Sequence, residues 1–250
     1  MKVHSTKGIV LRVTKYGETS LIVAIFTELF GMQSYIINGV RTSGKKDSGK
    51  ANMFQPAAIL DLVVYHNELK QLNRIKESKW SVLYQHIFSD VPKNTVALFM
   101  IELLTRCLKQ PETNPDLFHF TEDALLSLDK SNRSVMANMP LFFALHLPEF
   151  FGFRPHYKFQ GKSEAGGLIF DLKEGEFTNK NPGHPHFIDG KSAEITKELL
   201  MVMQPSELEE IKLNQEIRRR LLFAFEDYYS LHIQDFGKLK TLPVLKELLS

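Results

Sequence analysis

Cysteine is nearly missing from this 250-residue chain, where Cys107 stands alone. A single thiol excludes an intramolecular disulfide framework and agrees with a reducing cytoplasm. Also missing is any run of about 18 apolar residues, so no transmembrane helix is expected. The opening MKVHSTKGIVLRV has neither the apolar h-region nor the small-residue cleavage site of a secretory leader. Catalytic signatures are absent as well. There is no G-x-S-x-G, no Walker A sequence, no H-E-x-x-H and no dinucleotide fingerprint. Gly166-Gly167 lacks the Lys-Ser/Thr sequel that a phosphate loop needs, which weighs against an ATP-dependent motor. No catalytic residue and no cofactor is nominated.

Charge is present, and it is unevenly placed. The chain carries 31 Lys and Arg against 29 Asp and Glu, a net charge of +2. Residues 1–80 hold twelve of those bases and six of the acids, leaving nineteen against twenty-three for the remainder. A basic front joined to a mildly acidic rear suggests that the first part meets a polyanion.

Hydrophobic periodicity changes at the same place. Residues 7–13, 20–28, 31–40, 54–67 and the stretch LKQLNRIKES read as five strands, with Leu29-Phe30-Gly31 turning the second into the third. In the last of these, Leu69, Leu72 and Ile75 leave Lys70, Arg74 and Lys76 outward, and Pro56 marks a strand beginning. Five local strands within about 80 residues suggest a small OB-like barrel. After Trp80 the period moves toward 3.6, which predicts helices at 81–89, from Pro92 to Pro111, and from Pro115 with Asn114 as cap. Further helices are expected at 138–151, bent at Pro148, at 192–203, at 206–233 with Ser206 and Glu209 as a capping box, and at TLPVLKELL. Between Gly152 and Gly190 the helical pattern lapses into a glycine- and proline-bearing insert with strand-like pieces at 168–172 and 175–178. The fold class is therefore α+β: a barrel over 1–80, then a helical domain over 81–250 with an insert at 152–190.

The order of motifs resembles the bacterial RecO family of recombinational DNA-repair proteins. GIVLRVTKYGETSLIVAIFTELFG looks like that family's opening, followed by the cationic NGVRTSGKK, the FQP element and the C-terminal YYSLHIQDFGKLKTLPVLKEL. The resemblance covers nearly the whole chain. It implies an OB-fold that binds single- and double-stranded DNA, annealing of complementary strands, and help in loading RecA alongside RecR on DNA coated by single-stranded-DNA-binding protein. It also implies docking of that protein's acidic C-terminal tail. Several family members carry four cysteines forming a zinc site in the insert, whereas 152–190 has none here. A four-thiolate site is thereby excluded.

For DNA contact the candidates are Arg41, Lys45, Lys46 and Lys50 in the loop 41–50, supported by Arg12, Lys15, Lys70 and Arg74. The loop's glycines and serines suggest that it becomes ordered on binding. Among Tyr16, Phe30, Tyr35, Phe54 and Tyr65, most are expected in the core, with Tyr35 and Tyr65 the better stacking candidates. Arg218, Arg219 and Arg220 read either as the solvated face of a helix or as the cations of a peptide pocket, for which Arg106, Lys109 and Arg154 are equal contenders. His184 and His186, with His156 upstream, have the H-x-H spacing of a metal pair but no thiolates or spaced carboxylates nearby. They are read as loop histidines, and no metal site is assigned. The competing functional reading is a protein-interaction scaffold with only secondary DNA contact.

Overall fold

The computed structural model describes residues 2–40, 48–157 and 167–248, and of 48–50 the backbone alone. Two compact units result: Met1–Gln85 with Leu108–Leu126, and His86–Cys107 with Ser127–Ser250.

In the first unit, β1 (Lys2–Tyr16), β2 (Ser20–Thr27), β3 (Gly31–Ile37), β4 (Ile59–His66) and β5 (Asn73–Trp80) close into a barrel of order β1-β2-β3-β5-β4. Period-2 patterning explains the inside. Along β2, Leu21, Val23 and Ile25 are buried while Ile22 and Ala24 are half-exposed. Strand β1 is longer than residues 7–13 because it serves two neighbours, pairing with β4 through Lys2–Ile9 and with β2 through Gly8–Tyr16. A register shift between Val10 and Arg12 lets it bend, and Ile9, Val10 and Leu11 are all buried there.

The β2–β3 turn is fixed by chemistry rather than length. Thr27 Oγ1 donates to Gly31 O at 2.9 Å and accepts from Phe30 N at 3.1 Å. Gly31 sits at φ 61°, and a Cβ on it would lie 2.1 Å from the carbonyl oxygen of Glu112, so both conformation and space demand glycine.

Three expectations for this unit change. The run 54–67 becomes a strand only from Ile59, because Ala57 takes φ 73° and its N–H donates to Val10 O, spending 54–58 on a turn. The fifth strand starts at Asn73, leaving Leu69 and Leu72 exposed in the preceding turn. Of the loop 41–50, residues 41–47 lie outside the described residues, and Ser48 opens α1 (Ser48–Met53).

The chain continues through α2 (Val91–Cys107) and α3 (Pro115–Lys130). Asn114 caps α3 as expected, its Oδ1 accepting from Leu117 N at 2.9 Å. The residues 108–126 belong with the barrel: Phe118 packs against Phe26 at 5.7 Å between centroids, and Lys7 Nζ meets Glu122 Oε1 at 2.8 Å. The helix expected at 81–89 does not form. The Asp129 carboxylate instead accepts the backbone N–H groups of His86 and Ile87 and holds that segment as turns.

The second unit is built around α4 (Arg133–His146), whose Met139, Leu141, Phe143 and Leu145 are solvent-free. It passes into a 3-10 helix, Leu147–Phe151, so the change expected at Pro148 is a tightening of the helix one residue earlier. Then come β6 (Ile169–Asp171), β7 (Glu176–Thr178) and β8 (Phe187–Asp189), a sheet of order β7-β6-β8, followed by α5 (Gly190–Met201). The single helix expected over 206–233 is two: a 3-10 turn, Pro205–Glu209, and α6 (Gln215–His232) capped by Asn214. The capping box is Gln204 with Glu207, not Ser206 with Glu209. The last helix, α7 (Thr241–Leu248), matches TLPVLKELL. Among the described residues no helix is long and apolar enough to cross a membrane.

Candidate nucleic-acid interface

Strand pairing lines up an outer row across the barrel. Ile22 faces Ile36, Ile36 faces Arg74, Arg74 faces Tyr65, and Tyr65 faces Val3. All five are half-buried or exposed, whereas Val23, Tyr35 and Asn73, one residue along on their strands, are buried. Arg12 lies opposite Ala24, which shares the face of Ile22, so Arg12, Arg74 and Tyr65 stand on one side of the sheet. Lys15 is at the far end of β1, opposite Leu21, and Lys70 is in the β4–β5 turn.

Among the described residues, Arg12, Lys15, Lys70 and Arg74 are exposed and have no carboxylate within ion-pair distance. Lys2, at the start of β1, is likewise exposed and without such a partner among the described residues, whereas three other barrel lysines are paired. Lys7 pairs with Glu122 at 2.8 Å, Lys76 with Glu77 at 3.4 Å and Lys79 with Asp61 at 3.4 Å. The hydrogen bond that the Lys7 ammonium donates to Glu122 holds its pKa above the ordinary value. Arg41, Lys45 and Lys46 lie outside the described residues, and Lys50 is on α1 with no side chain described.

The aromatic candidates divide. Tyr35 is 0% exposed, and burial pushes its phenol pKa up; in this structure it is a core residue and not a stacking platform. Hairpin register carries the reason, since the Thr27–Gly31 pairing places Tyr35 opposite the inward Val23. Tyr65 remains on the outer row, half-buried. Phe54 is buried, and Phe30 stacks on His66 at 3.9 Å. Tyr16, passed over in favour of Tyr35, is 54% exposed. Parity could have found it, because with Ile9, Leu11 and Val13 inward, Arg12, Thr14 and Tyr16 face out.

In the second unit most of the arginine candidates are committed to neighbours. Arg106 donates through Nη1 to Phe236 O at 2.6 Å and through Nη2 to Lys238 O at 2.7 Å, and it pairs with Glu102 at 3.1 Å. Arg154 pairs with Glu149 at 3.0 Å and Arg220 with Asp189 at 3.1 Å. Arg219 is exposed, and so is Lys109, which belongs to the first unit. Arg218 is different. Its guanidinium is half-buried, donates to Asn138 Oδ1 from Nε and Nη2 at 3.2 Å, and is pushed below its ordinary pKa by desolvation. It lines a cavity of 720 Å³ together with Lys93, Arg133, Ser134, Met136 and Ala137.

Two family models match the chain: Recombination protein O N terminal over residues 1–84, and Recombination protein O C terminal over residues 89–243. The chain is 33% identical over 248 residues to the DNA repair protein RecO of Christiangramia forsetii, covering 99% of each. To that of Bacteroides fragilis it is 35% identical over 246 residues, and to that of Flavobacterium johnsoniae 33% over 245, covering 98% of each chain in both cases. The chain belongs to the RecO family. It is therefore a DNA-repair and recombination protein, a mediator rather than an enzyme.

The insert that carries a zinc site in several RecO proteins has no thiolate here, and the residues present do not fit that metal. Among the described residues no group of three His, Cys, Asp or Glu is gathered to hold an ion. His184 Nε2 meets Asp171 Oδ2 at 3.4 Å and His156 Nε2 meets Glu176 Oε2 at 3.6 Å, two separate pairs, while His186 is exposed. The described strands of the insert are held by apolar packing. Phe170, Leu172, Phe177 and Ile188 are buried, with Phe170 and Phe177 at 4.7 Å and Tyr228 of α6 against Phe170 at 5.7 Å.

Proposed function

We propose that the outer face of the barrel and its rim bind single- and double-stranded DNA, with Arg12 and Arg74 on the face and Lys15 and Lys70 at its edges on phosphates, and Tyr65 and Tyr16 available to stack on bases. On sequence grounds Arg41, Lys45, Lys46 and Lys50 are proposed as further phosphate contacts. The observation that carries this reading is that Arg12, Lys15, Lys70 and Arg74 are exposed with no carboxylate partner among the described residues, as is Lys2 at the start of β1, whereas Lys7, Lys76 and Lys79 each have one. Side chains with no internal anion are the ones that release counterions when phosphate arrives.

Neutralising two backbones at once lowers the repulsion between complementary strands, so annealing follows without ATP. Together with RecR, the protein would load RecA onto DNA coated by single-stranded-DNA-binding protein, in the cytoplasm at the nucleoid. The cavity beside Arg218 suits that protein's acidic tail, offering apolar wall at Met136 and Ala137 and a guanidinium held by amide and carbonyl oxygens. The same cavity favours the alternative, a protein-interaction scaffold with secondary DNA contact.

Salt titration separates the two. Replacing Arg12, Lys15, Lys70 and Arg74 together by alanine should flatten the slope of log Kobs against log salt by about 3 for single strands. A folded variant with unchanged slope and affinity would overturn the assignment, as would a Lys45/Lys46/Lys50→Glu variant that binds like wild type for the loop. An annealing assay on DNA coated by single-stranded-DNA-binding protein tests the mediator step; no stimulation there refutes it.

A further inference from the structure

Leu69 is 95% exposed at the tip of the β4–β5 turn, the largest value for a bulky apolar side chain among the described residues. Leu72, three residues on, is 37% exposed. A single exposed leucine is ordinary on a protein surface. This one stands on a turn built to hold it out. Asn67 Oδ1 accepts from Leu69 N at 2.9 Å, and Lys70 N donates to Asn67 O at 3.0 Å. Asn67 N donates in turn to Oδ1 of Asn73 at 3.1 Å, while Asn73 Nδ2 reaches Gln33 Oε1 at 3.3 Å. Asn73 is fully buried, so a core amide organises the tip.

The surroundings say what such a tip would meet. Lys70 is next to it, and Arg74 follows on the outer row beside Tyr65, neither with a carboxylate partner among the described residues. Glu68 offsets Lys70, so the turn itself is neutral and the tip contributes contact rather than charge.

We propose that Leu69 is an apolar wedge that presses between bases when the barrel face holds DNA, a role that rests on the DNA-binding reading above. Phosphates on Arg74 and Lys70 bring the strand to the tip. A leucine side chain then displaces base from base, as apolar wedges do in proteins that unstack nucleic acid. The contact takes any base, since it recognises a stacking surface and no hydrogen-bonding edge.

The test uses the full-length protein and oligonucleotides, single-stranded and duplex, with 2-aminopurine as the fluorescent base. Wild type should raise the fluorescence on binding, because unstacking relieves quenching. Leu69→Ala should abolish the rise and weaken binding about fivefold to tenfold, a part of what burying a leucine is worth. Its salt slope should stay that of wild type, since no phosphate contact is lost, and Leu69→Met should restore the fluorescence change. A Leu69→Ala protein with wild-type fluorescence and affinity overturns the wedge, as does a slope that falls by about 1, which would make the effect electrostatic. If wild type binds DNA with no fluorescence change, the wedge alone fails. Absence of DNA binding by wild type at low salt overturns the DNA reading itself.

Discussion

Arg74 and Arg106 are the same side chain in opposite surroundings. Arg74 projects from the barrel's outer row between Ile36 and Tyr65, with no carboxylate partner among the described residues. Arg106 ends α2 with both terminal nitrogens committed, to Phe236 O, to Lys238 O and to Glu102. The difference is in the supply of internal acceptors. A guanidinium surrounded by carbonyls and a carboxylate is a structural clamp, while one surrounded by isoleucine and tyrosine has its donors free for an outside anion. Counting basic residues in sequence cannot separate the two cases.

The largest effect should come from exchanging the tests. Arg106→Ala removes the guanidinium donor from the carbonyls of Phe236 and Lys238 and one of the donors to the Glu102 carboxylate, so it should cost about 2–3 kcal/mol of stability in denaturant unfolding while leaving DNA affinity unchanged. Arg74→Ala should do the reverse, keeping stability within about 0.5 kcal/mol and weakening DNA binding. A loss of DNA affinity in folded Arg106→Ala would break the distinction.

Glu102 makes the clamp sensitive to acid. Burial raises its pKa, but hydrogen bonds from Lys240 N, Thr241 N, Thr241 Oγ1 and Arg106 outweigh that and hold it below its ordinary 4.5. These donors include the backbone at the start of α7, so the carboxylate anchors that helix. With the folded value depressed, the contribution is complete above pH 4.5 and is lost as pH falls through the lower folded value. Glu102→Gln should cost about 1–2 kcal/mol at neutral pH, and the gap from wild type should close toward pH 3. A gap that is constant between neutral pH and pH 3 would show that the ionised form does not matter.

Much of this architecture was legible from periodicity and capping. The 20–28 and 31–40 hairpin follows from alternation and a glycine at the turn, α3 from Asn114-Pro115, and β6 and β7, though not β8, of the insert from apolar runs between glycines. Legibility failed where two local solutions compete. Gln204 with Glu207 and Ser206 with Glu209 both have capping spacing, and the first wins, with Pro205 at the start of a 3-10 turn. Leu69 and Leu72 matched a strand pattern, yet Asn73 uses its buried amide to close the turn that contains them. For the interface, composition pointed to the barrel, and Arg12, Lys15, Lys70 and Arg74 are exposed there. That Tyr16 faces out was legible from the alternation along β1, whereas the inward place of Tyr35 followed from the pairing of β3 with β2.

The smallest expected effect is the sharpest check on the rule drawn from the two arginines. Lys70 and Lys79 are both exposed lysines of the barrel and differ in that Lys79 lies 3.4 Å from Asp61. A surface ion pair of this kind is worth little to the fold, about 0–1 kcal/mol, so neither substitution by alanine should alter stability measurably. DNA affinity should tell them apart. Lys70→Ala should flatten the salt slope by about 0.7 on single strands, whereas Lys79→Ala also unmasks the carboxylate it neutralised and should change affinity without removing a phosphate contact, leaving the slope as it was. If Lys79→Ala flattens the slope as much as Lys70→Ala does, the paired cations also touch phosphate. The interface then extends along β5 from Arg74 to Lys79, and the presence of an internal partner no longer predicts which cations bind DNA.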